Sequence, residues 1–167
     1  DPRSLGDGNP GAANAFRAGG WPLGLAVLLL DFLKALLPVL IARWGLQLPP
    51  DQLFWLALMP TLGHAFSIFL AFRGGRALVT WFGVWAGLTL YELPMLMGSA
   101  AILGVLVLKN DVQRAFVIPV SLTLFLLLRG DPLWLVALAV AQGVILALKV
   151  SVFYRAAPAD PEPTIPS

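Results

Sequence analysis

The sequence predicts an all-α fold, a polytopic transmembrane helical bundle with six membrane segments, and three observations carry that prediction. Of 167 residues, 59% are hydrophobic and only 12% charged, where ordinary soluble domains carry about 25% charged residues. The mean hydropathy is +0.84. Apolar runs of membrane-spanning length, about 20 residues, recur along the chain, and backbone groups in lipid have no water to bond, so such runs must be helices. The absence of cysteine excludes disulfides, thiolate metal sites and thiol nucleophiles. A net charge of +2 is too small to argue for nucleic acid as a partner.

Taken in order, residues 1–20 read as a glycine-rich loop, 21–153 as the helical bundle and 154–167 as a disordered, proline-rich tail. Trp21 to Ala42 is the first span, interrupted only by Asp31 and Lys34. A second runs from Leu53 to Phe72 and contains Pro60 and His64. The stretch from Leu78 to Leu108 is too long for one crossing. "YELP" at 91 to 94 divides it into a short helix ending near Leu90 and another starting at Leu93. Ala115 to Leu128 is brief for a crossing and extends into its flanks, and Leu133 to Phe153 is the last.

Six alternating segments separate the basic residues by side. Arg3, Arg17, Arg73, Arg76, Lys109, Arg114, Lys149 and Arg155 share the side of the opening loop, whereas Arg43 and Arg129 lie on the other. Positive charge collects on the cytoplasmic side of membrane proteins. The glycine-rich loops and the C-terminus are therefore expected to face the cytoplasm of a bacterial inner membrane.

Two elements on that face carry candidate chemistry. Gly6, Gly8 and Gly11 fit G-x-G-x-x-G, but no strand precedes them and Asp31, 20 residues beyond Gly11, falls inside a membrane helix, so a dinucleotide fold is excluded. A glycine-rich loop ahead of a helix still lets backbone N–H groups converge on an anion. Asn9 and Asn14 supply amides for hydroxyls or phosphate oxygens, and Arg17 supplies a two-pronged phosphate donor. The second element is Arg73, Gly74, Gly75 and Arg76. The alternative for both is ordinary: glycine and arginine at cytoplasmic helix ends also serve turns and topology.

Within the membrane, Asp31 and Lys34 are spaced i, i+3 and can pair with each other or serve a substrate-adjacent site. Pro38 lacks the N–H that would bond the Lys34 carbonyl, a local weak point. His64, the single histidine, reads either as a packed, hydrogen-bonded residue or as a site residue. A solitary histidine specifies no metal geometry, so no metal ligand is assigned. The tryptophans, Trp21, Trp44, Trp55, Trp81 and Trp134 among them, read as lipid-facing or belt residues. Gly98, Ala100 and Gly104 supply small residues for close helix approach.

"DPRSLGDGNPGAANAFRAGG", "DFLKALLP" and "LGHAFSIFLAFRGGRALVT", in that order and spacing, resemble the acyl-phosphate:glycerol-3-phosphate acyltransferases, the PlsY family. The motifs cover about residues 1 to 80. The resemblance implies a seven-helix inner-membrane enzyme of phospholipid synthesis, with a further helix ahead of the opening loop. It implies acyl transfer from acyl phosphate to glycerol 3-phosphate, giving lysophosphatidic acid and phosphate, with no cofactor. By resemblance Asn9, Arg17 and Arg76 are catalytic, while Gly8, Gly11, Asn14, Lys34, His64, Arg73, Gly74, Gly75 and Thr80 bind substrate and phosphate. The H-x-x-x-x-D motif of another glycerolipid acyltransferase class is absent, because Phe69 stands five residues past His64.

The departures are specific. Asp7 stands where the family has Ser, Ala13 where Thr is typical, and Arg76-Ala77 where Lys-Gly is usual. The family's closing block, a His with an Asn three residues later, has no counterpart in "ALKVSVFYRAAPADPEP", where Lys149, Ser151 or Arg155 are the available substitutes. Two readings stand: a working acyltransferase acting on membrane lipid precursors, or a non-catalytic accessory subunit packed with other membrane subunits.

Overall fold

The computed structural model describes residues 4–6 and 8–156, with side chains over the same range except at 111 and 152–156. Six helices follow one another: α1 (Ala12–Leu40), α2 (Pro50–Ala65), α3 (Leu78–Thr89), α4 (Glu92–Val107), α5 (Asp111–Arg129) and α6 (Leu133–Ala156). Among the described residues there is no strand. Four helical stretches are long and apolar enough to cross a membrane, and α3 and α4 are shorter apolar helices. The chain is a multi-pass membrane protein.

Contacts fix the alternation of the helices. Gly83 of α3 lies against Phe32 and Ala35 of α1, and Gly87 against Val39 and Leu40, so α1 and α3 run parallel. Thr61 pairs with Gln142, and Phe72 with Lys149, which sets α2 parallel to α6. At one end of the bundle Arg43, Leu53, Leu88, Glu92, Arg129 and Trp134 border a cavity of about 500 Å³. Arg129 there binds Glu92 and Asp131. Those residues come from the closing ends of α1, α3 and α5 and the opening ends of α2, α4 and α6. The glycine loops lie at the opposite end.

The helix boundaries depart from the sequence expectation at both ends of the first loop-and-helix pair. Residues 12–18 are helical rather than loop, because the alanines of "AANAFRA" favour the helix. The break comes at Gly19 (φ −140°, ψ 18°) and Gly20 (φ 65°, ψ −161°), the latter a conformation open essentially to glycine alone. Phe16 packs on Gly24; in a continuous helix two residues that far apart would be separated by about 12 Å. The chain therefore folds back at Gly19-Gly20 and returns the opening loop along the side of α1. Past Pro38, α1 ends in a π turn, Ile41–Gly45.

α2 stops at Ala65 instead of continuing to Phe72. Hydropathy reads "FSIFLAF" as helix, but the Ser67 carbonyl accepts from Leu70 N and Phe72 N, which closes the segment into a compact turn. The divided stretch after Leu78 is as expected, with Leu90 (φ 60°) at the corner. Helix α6 continues through Ala156, and residues 157–167, on which the rest of the expected tail falls, lie outside the described range.

Two further expectations about packing are corrected. Trp81 and Trp85 are fully buried rather than lipid-facing, whereas Trp21, Trp44 and Trp55 are exposed. Trp85 Nε1 donates to Gln142 Oε1 at 2.8 Å, and Gln142 Nε2 donates to Thr61 Oγ1 at 3.0 Å, a buried chain joining α2, α3 and α6. The closest helix approach is at Gly83 and Gly87, where an added Cβ would strike α1; at Gly98 it would meet nothing within 4 Å. The motif G-x-x-x-G is legible in "GVWAG".

Candidate active site

The opening loop is built on two left-handed glycines, Gly6 (φ 54°) and Gly8 (φ 72°), with Gly8 N donating to Leu5 O at 3.0 Å. Gly11 caps α1 in an extended conformation. Asn14, 1% exposed, is the brace beneath the loop. Its Nδ2 donates to Leu5 O at 2.8 Å and to Asn9 O at 2.9 Å, while its Oδ1 accepts from Arg17 Nη1 at 2.6 Å. The Asn14 amide thus holds the loop and orients Arg17. Arg17 itself is exposed, so its remaining donors face outward. Asp7 lies outside the described residues.

The second element, residues 66–77, is pressed onto the end of α2. At Gly74 a side chain would strike the carbonyls of His64 and Ala65. At Gly75 a Cβ would sit 2.5 Å from His64 Nε2 and 3.0 Å from Asn9 Oδ1. Gly75 therefore occupies the seam between the first loop and the histidine. Arg73, exposed, and Arg76, half-buried, flank the glycine pair. Thr80, one turn into α3, is fully buried and its hydroxyl has no hydrogen-bond partner among the described residues.

Below the seam sits a charged trio. Lys34 Nζ lies 2.7 Å from Asp31 Oδ1 and 2.7 Å from His64 Nδ1. Asp31 Oδ1 is 3.3 Å from His64 Nδ1. An ammonium has donors and no acceptor, so where Lys34 donates to both neighbours His64 Nδ1 receives, and the ring proton of that tautomer sits on Nε2, the nitrogen against Gly75. Asp31 and Lys34 form the ion pair that their spacing allows, and the pair contacts His64, a residue of the seam. The pairing of Asp31 with Lys34 was legible at i, i+3; the contact of both with His64 was not, because nothing in the sequence places residue 64 beside residue 31.

The arrangement joins Asn9, Gly75, His64 and Lys34 in direct succession, with Arg17 tied to the same loop through Asn14. It presents an N–H donor, several guanidinium groups and a loop of backbone amides at one end of the bundle. Such a surface receives anions.

A family model described as glycerol-3-phosphate acyltransferase matches residues 1–157. The chain belongs to this family. Among other family members, a glycerol-3-phosphate acyltransferase of Pseudomonas aeruginosa is 38% identical over 146 residues, covering 87% of this chain and 75% of that protein. A glycerol-3-phosphate acyltransferase 1 of Thermotoga maritima is 43% identical over 99 residues, covering 58% of this chain and 49% of that protein. The crystal structure of PlsY, an integral membrane glycerol 3-phosphate acyltransferase, in its glycerol 3-phosphate form, superposes with a TM-score of 0.79 at 29% identity, over 93% of this chain and 77% of that one. A second, in the lysophosphatidic acid form, superposes with a TM-score of 0.75.

Proposed function

We propose that this acyltransferase moves a fatty acyl group from acyl phosphate to glycerol 3-phosphate at the cytoplasmic face of the inner membrane. The observation that carries the reading is the position of Gly75, in contact range of both His64 Nε2 and Asn9 Oδ1. It places the two arginine-bearing loops at one seam, and the reaction has two phosphate-bearing substrates to hold. The glycerol 3-phosphate and lysophosphatidic acid forms of the solved PlsY relative support one of these substrates and the product.

The chemistry asks little covalent work of the protein. The hydroxyl oxygen of glycerol 3-phosphate attacks the acyl carbonyl, the bond to the phosphate oxygen breaks, and the departing phosphate accepts the hydroxyl proton. Ester and inorganic phosphate result, with atoms and charge balanced. What remains is to hold two anions together and to stabilise charge where it develops. In this reading Arg17 and Arg76 grip phosphate, Arg73 adds charge at the rim, and the amides around Gly8 and Gly11 line the first phosphate. Asn9 and the Nε2 proton of His64 donate at the reacting carbonyl or departing oxygen. Lys34 keeps that proton on Nε2. The Thr80 hydroxyl is a donor available to a bound phosphate.

Orientation follows from the basic residues gathered on the glycine-loop side. A phosphate-release assay with acyl phosphate and glycerol 3-phosphate tests the proposal. Turnover in the parent chain and a loss of about 100-fold in Arg76→Gln are expected. No turnover, or turnover indifferent to both Arg17→Ala and Arg76→Gln, would return the chain to the accessory-subunit reading.

A further inference from the structure

We infer that Lys149, in α6, is a positioning residue that clamps the second loop and so sets where Arg73 and Arg76 stand; as a statement about the reaction this rests on the acyltransferase reading above. Lys149 is 5% exposed. Its Nζ donates to the Phe72 carbonyl at 3.3 Å and lies 4.7 Å from the centre of the Phe66 ring. Among the described residues no carboxylate pairs with it. A buried ammonium without a counter-ion is costly, and both groups that offset its charge, a carbonyl and a ring face, belong to the same short loop.

That loop needs holding. Ala71 (φ 49°), Phe72 (φ 63°) and Ala77 (φ 62°) are all left-handed without being glycine. Such residues persist only where their surroundings over-determine them. Phe72, the residue whose carbonyl Lys149 grips, is one of the three, and Arg73 follows it directly. The outer edge of the loop is not packed: Ile68, Phe69 and Phe72 are 69%, 91% and 63% exposed. Lys149 holds the inner edge. The packing of Gly74 on the carbonyls of His64 and Ala65 is shape rather than charge.

The test uses the full chain in detergent micelles, with Lys149→Met retaining the length of the stem without the charge and Lys149→Arg retaining the cation. Amide hydrogen exchange is followed over residues 66–77 and, as a reference, over 50–60 of α2. Exchange in 66–77 is expected to quicken about tenfold in Lys149→Met, the scale of one charged hydrogen bond, and to return toward the parent rate in Lys149→Arg, with 50–60 unchanged. Parent-like exchange in Lys149→Met, or equal acceleration in both segments, would overturn the assignment. Kinetically, Lys149→Met is expected to raise KM for glycerol 3-phosphate about tenfold with a smaller change in kcat; a fall in kcat alone would count against it. Quickened exchange in a chain whose parent shows no turnover would reject the acyltransferase reading and leave the clamp standing. Turnover with unaltered exchange would do the reverse.

Discussion

Gly75 and Gly74 are neighbours in sequence with different reasons to be glycine. A methyl on Gly75 meets two side chains, His64 and Asn9, whereas a methyl on Gly74 meets backbone carbonyls that cannot swing away. Gly75→Ala is therefore expected to fold and to lose about 100-fold in kcat/KM, the scale of an ångström-sized misplacement, whereas Gly74→Ala is expected to reduce the yield of folded protein. Size-exclusion profiles and phosphate-release kinetics on the two variants separate the cases. Lys34→Met removes the ammonium that donates to His64 Nδ1, so the Nε2 tautomer is expected to give way to a mixture, visible in the nitrogen chemical shifts of a histidine-labelled sample. The sequence named these residues from loop composition and resemblance. It read the glycines as amides open to an anion or as turns, and the close approach at positions 74 and 75 was not legible in it. The bracing bonds of Asn14 were not legible for a related cause: they depend on where residues 5, 9 and 17 fold, and spacing alone does not encode that.

Helices were legible because lipid leaves apolar backbone only one way to satisfy its hydrogen bonds, and the corner at Leu90 followed from "YELP". Hydropathy carried no information about the turn at 66–72 or the reversal at Gly19-Gly20, since both are set by dihedral angles rather than polarity. Gly20→Ala is expected to cost on the order of 1–3 kcal/mol and to carry the opening loop away from His64, lowering activity more than thermal stability. Between elements, Gln142 is the joint of the buried polar chain. Gln142→Leu leaves Trp85 Nε1 and Thr61 Oγ1 facing an apolar neighbour. Because interhelical hydrogen bonds in membranes average about 0.6 kcal/mol and reach about 1.7, a loss of about 1 kcal/mol is expected in reversible unfolding from mixed micelles.

At the scale of the molecule, alternation puts Ser4 and Gln47 at opposite ends of the bundle. The chain contains no cysteine, so single-cysteine variants at these two positions report cleanly. A membrane-impermeant thiol reagent added to intact cells is expected to reach Gln47→Cys and to spare Ser4→Cys; the inverse pattern would reverse the proposed orientation. Helix α3 sets a further condition. Its 12 residues span about 18 Å, against a hydrocarbon layer of about 30 Å, and its glycines hold it level with the far half of α1. The seam of His64, Gly75 and Thr80 is therefore expected to form a polar floor beneath the phosphate plane of the surrounding lipids. A water-soluble alcohol has to descend to it, and an amphiphile has to sink its headgroup below those of its neighbours. Thickening the host bilayer with longer-chain lipids lengthens that drop for both, so turnover should decline as chain length grows even where the fold is untouched.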